Sequence, residues 1–104
     1  MDTLTRLEAA ITERLSADPG SSYVASLVAK GLPAIARKLG EEATEAVVAA
    51  LSGSEGELVG EAADVLFHLT VLLAARGIPL DRVMAELERR EGTSGLAEKA
   101  ARSR

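Results

Sequence analysis

Apolar residues along this chain recur at intervals of three and four, the spacing that places side chains on one face of an α-helix. The first such series ends at the turn-forming stretch "ADPG" and consists of Leu4, Leu7, Ile11 and Leu15. No stretch of useful length alternates between apolar and polar residues, so we expect no strands. The pattern predicts an all-α fold.

Turn and cap signals divide the rest of the chain into four further predicted helices. Serine can cap a helix, proline suits its first turn, and glycine stops it. The predicted elements are a second helix capped by Ser21 or Ser22 and ending near Gly31, a third from Pro33 to about Leu51, a fourth from about Glu57 to Arg76 and stopped by Gly77, and a fifth from Pro79 to about Glu91. The stretch "SGSEG" makes a tight connection between the third and fourth helices.

The fourth predicted helix is apolar around most of its circumference. Its apolar residues include Ala62, Val65, Leu66, Leu69, Leu72, Leu73 and Ala75. Such a helix must be covered on several sides, and a chain of 104 residues can bury only a modest core by itself. We therefore expect a single domain over residues 1–104, built as an antiparallel bundle of about five helices and completed by homodimerisation.

Composition narrows the setting of this domain. Hydrophobic residues make up 47% of the chain, but it has one Phe, one Tyr and no Trp, so Ala, Val and Leu fill the core. The net charge of −4 argues against a nucleic-acid surface. The absence of cysteine excludes disulfides and thiolate metal sites.

Targeting and membrane signals are also weak. No basic, apolar signal peptide opens the chain. Its most apolar segment, Val65 to Ala75, is interrupted by His68 and Thr70 and is shorter than the ~20 residues that span a bilayer. We expect a cytoplasmic protein without a nucleic-acid or membrane partner.

Acidic residues gather on the third and fourth predicted helices. At ~100° per residue, Glu42 and Glu45 share one margin of the apolar stripe of the third helix, whereas Glu41 lies farther toward solvent. That stripe is formed by Ile35, Leu39, Ala43, Ala46 and Ala50. On the fourth helix, successive spacings of four, three and four place on one strip Glu57, Glu61, Asp64 and His68.

An antiparallel hairpin about the "SGSEG" turn would bring these two sets of acids together. Glu45 and Glu61 are nearly equidistant from the turn, as are Glu42 and Asp64. Four carboxylates converging at the edge of a core would be destabilising without a counter-charge. A single acid on a helix surface is usually just solvated, but two pairs in register favour a bound cation.

The ligand type indicates which cation. Oxygen ligands alone favour Mg²⁺ or Mn²⁺ over zinc, and Mg²⁺ would keep several water sites open that suit phosphate oxygens. A di-iron carboxylate bundle also places Glu on facing helices, but it requires Glu three residues before His. The residue at that position before His68 is Val65, so a di-iron site is disfavoured.

These residues also carry a family resemblance. The stretch "EEATE", followed after fifteen residues by "EAAD", resembles the E-E-x-x-E…E-x-x-D signature of the MazG-like all-α nucleoside-triphosphate pyrophosphohydrolases. Within that superfamily the chain is most similar to the phosphoribosyl-ATP pyrophosphohydrolases of histidine biosynthesis. The similar segments cover most of the chain: "SSYVASLVAKG", "KLGEEATE", "ELVGEAADVLFHLTVLLAARGIPLDRV" and "REGTSGLAEKAARSR".

The resemblance implies an all-α, usually dimeric enzyme that uses Mg²⁺ to hydrolyse phosphoribosyl-ATP to phosphoribosyl-AMP and pyrophosphate. Its metal-binding acids correspond to Glu42, Glu45, Glu61 and Asp64, and Glu41 completes the motif. The metal would lower the pKa of a bound water and orient it for attack between the α- and β-phosphates. Either Glu41 or Glu45 could accept the proton of that water, and the sequence leaves both open.

Candidate substrate contacts flank the acidic motif. Arg37 and Lys38 lie one turn before it. Lys38 could contact a phosphate or pair with Glu42 at i, i+4, and these two interpretations have equal weight. Tyr23 and His68 could also reach the substrate, although a buried, hydrogen-bonded side chain is the commoner role for such a histidine.

Ala34 and the C-terminal tail both bear on how the chain could bind phosphate. Members of the family often carry a basic residue where this chain has Ala34; if that residue contacts a phosphate, its role passes to Arg37 or Lys38 or is lost. The polar tail, residues 92–104, would on composition alone be a frayed, flexible terminus. The resemblance implies instead that it closes over the phosphates through Thr93, Ser94, Lys99 and Arg102.

Two other functions stay open. A nucleoside-triphosphate pyrophosphohydrolase of broader specificity would use the same metal site, so only the segments that flank the acids favour phosphoribosyl-ATP. A non-catalytic helical dimer module would retain the acids without needing them, and the intact motif argues against it. The resemblance also suggests a pathway neighbour, a separate phosphoribosyl-AMP cyclohydrolase.

Overall fold

The computed structural model describes residues 2–92 and 95–102, and this part of the chain is helical throughout except for its connections. Its six helices are α1 (Thr3–Arg14), α2 (Tyr23–Ala29), α3 (Leu32–Ser52), α4 (Glu55–Ala75), α5 (Leu80–Arg90) and α6 (Gly95–Arg102). The all-α prediction is confirmed. The described chain holds one helix more than the five expected, because part of the polar tail forms α6.

Local signals set most of the helix ends. The Ser22 hydroxyl accepts a hydrogen bond from the Ala25 amide at 3.3 Å and caps α2. Pro33 stands in the first turn of α3, as predicted. Gly77, just beyond α4, has a φ of +69°, a left-handed conformation that glycine adopts readily. Helix α4 begins two residues earlier than predicted because Ser54, inside the "SGSEG" stretch, is its N-cap. The Ser54 hydroxyl accepts a hydrogen bond from the Glu57 amide at 3.2 Å.

Helices α3 and α4 form a long antiparallel hairpin, each with 21 residues. The buried core lies at the end of this hairpin that is remote from its turn. It joins α1, α2, α3 and α4 through Ile11, Val24, Leu27, Ile35 and Val71. The acidic residues near the middle of α3 and α4 therefore lie between this core and the turn.

The buried face of α3 differs from the predicted apolar stripe. Ile35 is buried, but so are Glu42 and Ala49, whereas Ala43 and Ala50 are exposed. Helix α4 packs along α3 more extensively than any other described element does, and that packing turns the Glu42 face inward. Simple counting from the apolar residues placed Glu42 only at the margin of the buried face.

The turn half of the hairpin exposes large apolar side chains. Leu51 is 84% exposed, and the exposed set on the two helices also includes Val47, Val48, Leu58, Val59 and Leu66. Scattered exposed apolar residues are normal, but a contiguous apolar surface marks an interaction site. This is the surface that the predicted homodimer would cover.

Helix α4 is long and apolar enough, by length and composition, to cross a membrane. The sequence prediction had judged only the shorter run from Val65 to Ala75. In the structure α4 packs against both α1 and α3, and it carries Glu57, Glu61 and Asp64. These features agree with a central helix of a bundle.

A long-range hydrogen bond attaches helix α5 to α1. Its N-cap residue, Pro79, offers no side-chain cap. The carboxylate of Glu8 instead accepts a hydrogen bond from the Leu80 amide at 2.6 Å. A negative group at the start of a helix also interacts favourably with the helix dipole, so Glu8 fixes where α5 begins.

Candidate metal site

Three carboxylates meet between α3 and α4. Glu42 and Glu45 come from α3 and Glu61 from α4, and one oxygen of each lies within 4.8 Å of the others. Glu42 is buried, Glu61 is half-buried and Glu45 is exposed, so the three-carboxylate group opens to solvent on one side. The hairpin thus brings Glu45 and Glu61 together, as its register predicted.

Two oxygens of this group lack hydrogen-bond partners. Among the residues that the structure describes, Oε2 of Glu42 and Oε2 of Glu61 are buried and accept no hydrogen bond. A buried acceptor left unsatisfied costs about 1–3 kcal/mol, and a charged one costs more. A divalent cation would satisfy both oxygens and remove the repulsion between the carboxylates. The residues present therefore fit a metal that prefers oxygen ligands.

Lys38, on α3, places a positive charge next to the three-carboxylate group. Its ammonium lies 3.1 Å from Oε1 of Glu42 and 4.0 Å from Oε2 of Glu41. The hydrogen bond from Lys38 lowers the pKa of Glu42, and the same bond raises the pKa of Lys38. The pairing of Lys38 with Glu42, one of its two predicted roles, is therefore present.

Glu45 has the opposite electrostatic environment. The negative charges of Glu42 and Glu61 raise the pKa of Glu45 above its ordinary value. Glu45 therefore holds a proton more readily than an isolated glutamate does. Glu41 is exposed on the solvent side, as predicted.

Asp64 does not join the three-carboxylate group. Asp64 is exposed. Its backbone carbonyl, not its carboxylate, accepts a hydrogen bond from His68 Nδ1 at 2.7 Å. The hairpin register places Asp64 level with Glu42, but level positions can still differ in rotation about the helix axis. Lys38 also holds the Glu42 carboxylate. Asp64 stays a predicted ligand that this arrangement of side chains does not bring close.

His68 is buried and hydrogen-bonded on both ring nitrogens. Besides the bond from Nδ1 to Asp64, its Nε2 lies 2.9 Å from the Tyr23 hydroxyl. A carbonyl can only accept, so in the neutral ring Nδ1 carries the proton and Tyr23 donates to Nε2. This contact joins α2 to α4 and matches the structural role that the sequence favoured for His68.

Comparison with known proteins places the chain in a family. Residues 4–91 match the family model described as phosphoribosyl-ATP pyrophosphohydrolase. The chain belongs to the phosphoribosyl-ATP pyrophosphohydrolase family. The matched segment contains α2 to α5 and all of α1 except Thr3, and therefore the whole three-carboxylate group.

Similar proteins match over nearly their full length. A phosphoribosyl-ATP pyrophosphatase of Erythrobacter litoralis is 69% identical over 102 residues, which cover 98% of this chain and 98% of the relative. A protein of the same name from Novosphingobium aromaticivorans is 64% identical over 102 residues, which cover 98% of this chain and 95% of the relative. The family resemblance predicted from the acidic motif is confirmed.

Other predicted substrate contacts of this family member lie outside the three-carboxylate group. Arg37 is exposed on α3, and Ala34 is half-buried near the start of that helix. Lys99 and Arg102 are exposed on α6. Thr93 and Ser94 lie outside the described residues. The roles of these residues in binding substrate stay predictions.

A cleft next to the group was missed from the sequence. It has a volume of about 280 Å³, includes Glu45 and Glu61, and extends toward the hairpin turn, where it is lined by Thr44, Val48, Ala49, Ser52, Gly53 and Glu57. The spacing of four between Thr44, Val48 and Ser52 could have revealed one shared helix face. The cleft gives a substrate room beside the carboxylates.

Proposed function

We propose that this protein hydrolyses phosphoribosyl-ATP to phosphoribosyl-AMP and pyrophosphate, the second step of histidine biosynthesis, and that Mg²⁺ binds at Glu42, Glu45 and Glu61. The family match over residues 4–91 and the names of the relatives support the substrate. The buried, unpartnered oxygens of Glu42 and Glu61 are the observation that carries the metal site. Mn²⁺ is an alternative cation with the same ligand preference.

The carboxylates have different roles in the proposed reaction. A bound cation neutralises phosphate charge and makes a water molecule more acidic. Glu42 and Glu61, whose free oxygens are buried, hold the cation together with Glu45, and Asp64 is the predicted fourth ligand. Glu45 is the better candidate for general base, because it is the exposed member of the three-carboxylate group. Glu41, which faces solvent beside Lys38, is the second candidate.

The assembly and the substrate contacts complete the proposal. A second copy of the chain covers the exposed apolar residues of the turn half, and the dimer works in the cytoplasm. Arg37 and Tyr23 flank the phosphates, and α6 brings Lys99 and Arg102 over them when substrate binds. A cyclohydrolase that acts on phosphoribosyl-AMP would take the product to the next step.

The test is pyrophosphate release with Mg²⁺ or Mn²⁺ from phosphoribosyl-ATP, ATP and a panel of other nucleoside triphosphates. We expect turnover of phosphoribosyl-ATP alone, and its loss in Glu45→Gln. Glu55→Gln, an exposed acid at the start of α4 outside the group, should retain activity. Turnover of many triphosphates would assign the broader specificity, whereas no turnover by the folded protein would reject the enzymatic function.

A further inference from the structure

The ion pair between Lys38 and Glu42 is unlike an ordinary surface pair, because one partner is buried. The Glu42 side chain is 7% exposed, and the Lys38 side chain is 36% exposed. An exposed i, i+4 pair contributes little to stability. Here the ammonium reaches inward to a carboxylate that belongs to the three-carboxylate group.

The two oxygens of Glu42 have different environments. Oε1 receives the Lys38 ammonium at 3.1 Å. Oε2 is buried and has no hydrogen-bond partner among the described residues. The terminal torsion of a glutamate is broad and weakly restrained, so the orientation of the carboxylate depends on what its oxygens contact. Lys38 therefore fixes the orientation of the Glu42 carboxylate, with one oxygen on the ammonium and the other left without a partner.

We infer that Lys38 is a positioning residue of the metal site: it holds Oε1 of Glu42 so that Oε2 is presented to the cation. This inference rests on the proposed metal site at Glu42, Glu45 and Glu61. Groups that hold a metal ligand in place typically change metal affinity by about 10- to 100-fold when they are removed. Lys38 acts through Glu42 and needs no contact with the reacting phosphate.

The inference predicts an effect opposite in sign to simple electrostatics. A positive charge near a cation site repels the cation, so its removal alone should tighten Mg²⁺ binding. A lysine that only contacts phosphate likewise predicts tighter or unchanged binding of Mg²⁺ in the absence of nucleotide. A positioning lysine predicts weaker Mg²⁺ binding after the same substitution. The direction of the change therefore separates a positioning role from the other two roles.

The experiment measures the Kd of Mg²⁺ by calorimetry on the full-length, metal-free protein without nucleotide. We expect Lys38→Met to weaken Mg²⁺ binding by about 10- to 100-fold and Lys38→Arg to restore most of the affinity. Arg37→Met is the matched control for metal affinity, since it removes the same charge from the preceding, exposed residue of α3. It should leave the Kd of Mg²⁺ unchanged or slightly lower.

A kinetic measurement adds a second readout. If Lys38 acts through the metal, raising Mg²⁺ should restore most of the kcat of Lys38→Met, with little change in KM for phosphoribosyl-ATP. Mg²⁺ binding by Lys38→Met that is as tight as in the wild type would overturn the inference and leave the metal site standing. A wild-type protein that binds neither Mg²⁺ nor Mn²⁺ would overturn both. Lys38→Gln, which keeps a donor without the charge, replaces Lys38→Met if that variant does not fold.

Discussion

Glu61→Gln should stabilise the metal-free protein while removing its response to Mg²⁺. Oε2 of Glu61 is buried without a hydrogen-bond partner among the described residues, and its carboxylate lies near those of Glu42 and Glu45. A glutamine removes one negative charge from this group. Its amide can also donate to the two remaining carboxylates, so both unfavourable effects are relieved by one substitution.

The size of the stabilisation expected for Glu61→Gln follows from the unsatisfied Oε2 of Glu61. Relief of one buried, unsatisfied acceptor is worth about 1–3 kcal/mol, and each 1 kcal/mol shifts the Tm of a domain near this size by roughly 4–8 °C. Mg²⁺ at a hundred times its Kd would stabilise the wild-type protein by ~2.7 kcal/mol. The variant should therefore melt higher than the wild type in EDTA. In saturating Mg²⁺ the wild type gains stability, which removes or reverses this difference, while the variant gains little.

The assay is thermal unfolding followed by circular dichroism at one fixed protein concentration, with EDTA or with Mg²⁺. Glu13→Gln, an exposed acid on α1, is the control and should respond to Mg²⁺ as the wild type does, with a stability change within about 0.5 kcal/mol. A Glu61→Gln protein that is less stable than the wild type in EDTA, or that keeps the full Mg²⁺ response, would refute the reasoning about the group.

Three further predictions concern other parts of the molecule. Tyr23→Phe removes the hydrogen bond to His68 and should lower the free energy of unfolding by about 0.5–1.5 kcal/mol, measured in urea at constant m-value. Hydrogen bonds from Arg89 and Arg90 lower the pKa of Glu86 to about 2. The stability that ionised Glu86 contributes is complete above the ordinary pKa of 4.5 and is lost as the pH falls toward 2. Glu86→Gln should therefore make the free energy of unfolding less dependent on pH in that window. Truncation after Glu91 should reduce kcat/KM, and unchanged activity would exclude closure by the tail.

The helix boundaries were predictable because their causes are local. Ser22, Pro33 and Gly77 each act through the backbone next to them, and the sequence shows these residues directly. The start of α4 was placed too late because Ser54 was assigned to the turn, although it is the N-cap. Helix α6 was missed because the tail was judged by composition, which does not register one short amphipathic helix.

The candidate site was predictable in part. The distance of each acid from the turn correctly brought Glu45 beside Glu61, since an antiparallel hairpin aligns residues by that distance. It also paired Asp64 with Glu42, whereas the Asp64 side chain lies outside the three-carboxylate group, because register along a hairpin leaves rotation about each helix axis undetermined. The burial of Glu42 and the cleft toward the turn depend on how α3 faces α4. That facing comes from packing along the whole pair of helices.

Because the three-carboxylate group lies away from the core, local opening of the hairpin can disrupt the metal site while the core stays folded. Ile35 and Val71 anchor the hairpin at one end, whereas Glu45 and Glu61 lie nearer the turn, whose apolar residues are exposed in the single chain. Local opening of that half would separate the carboxylates without disturbing the core, as in other proteins whose segments open below the global unfolding free energy. Amide hydrogen exchange in the turn half should therefore slow when Mg²⁺ binds, while exchange around the core stays the same. The occupancy of the site can then be followed from the backbone alone.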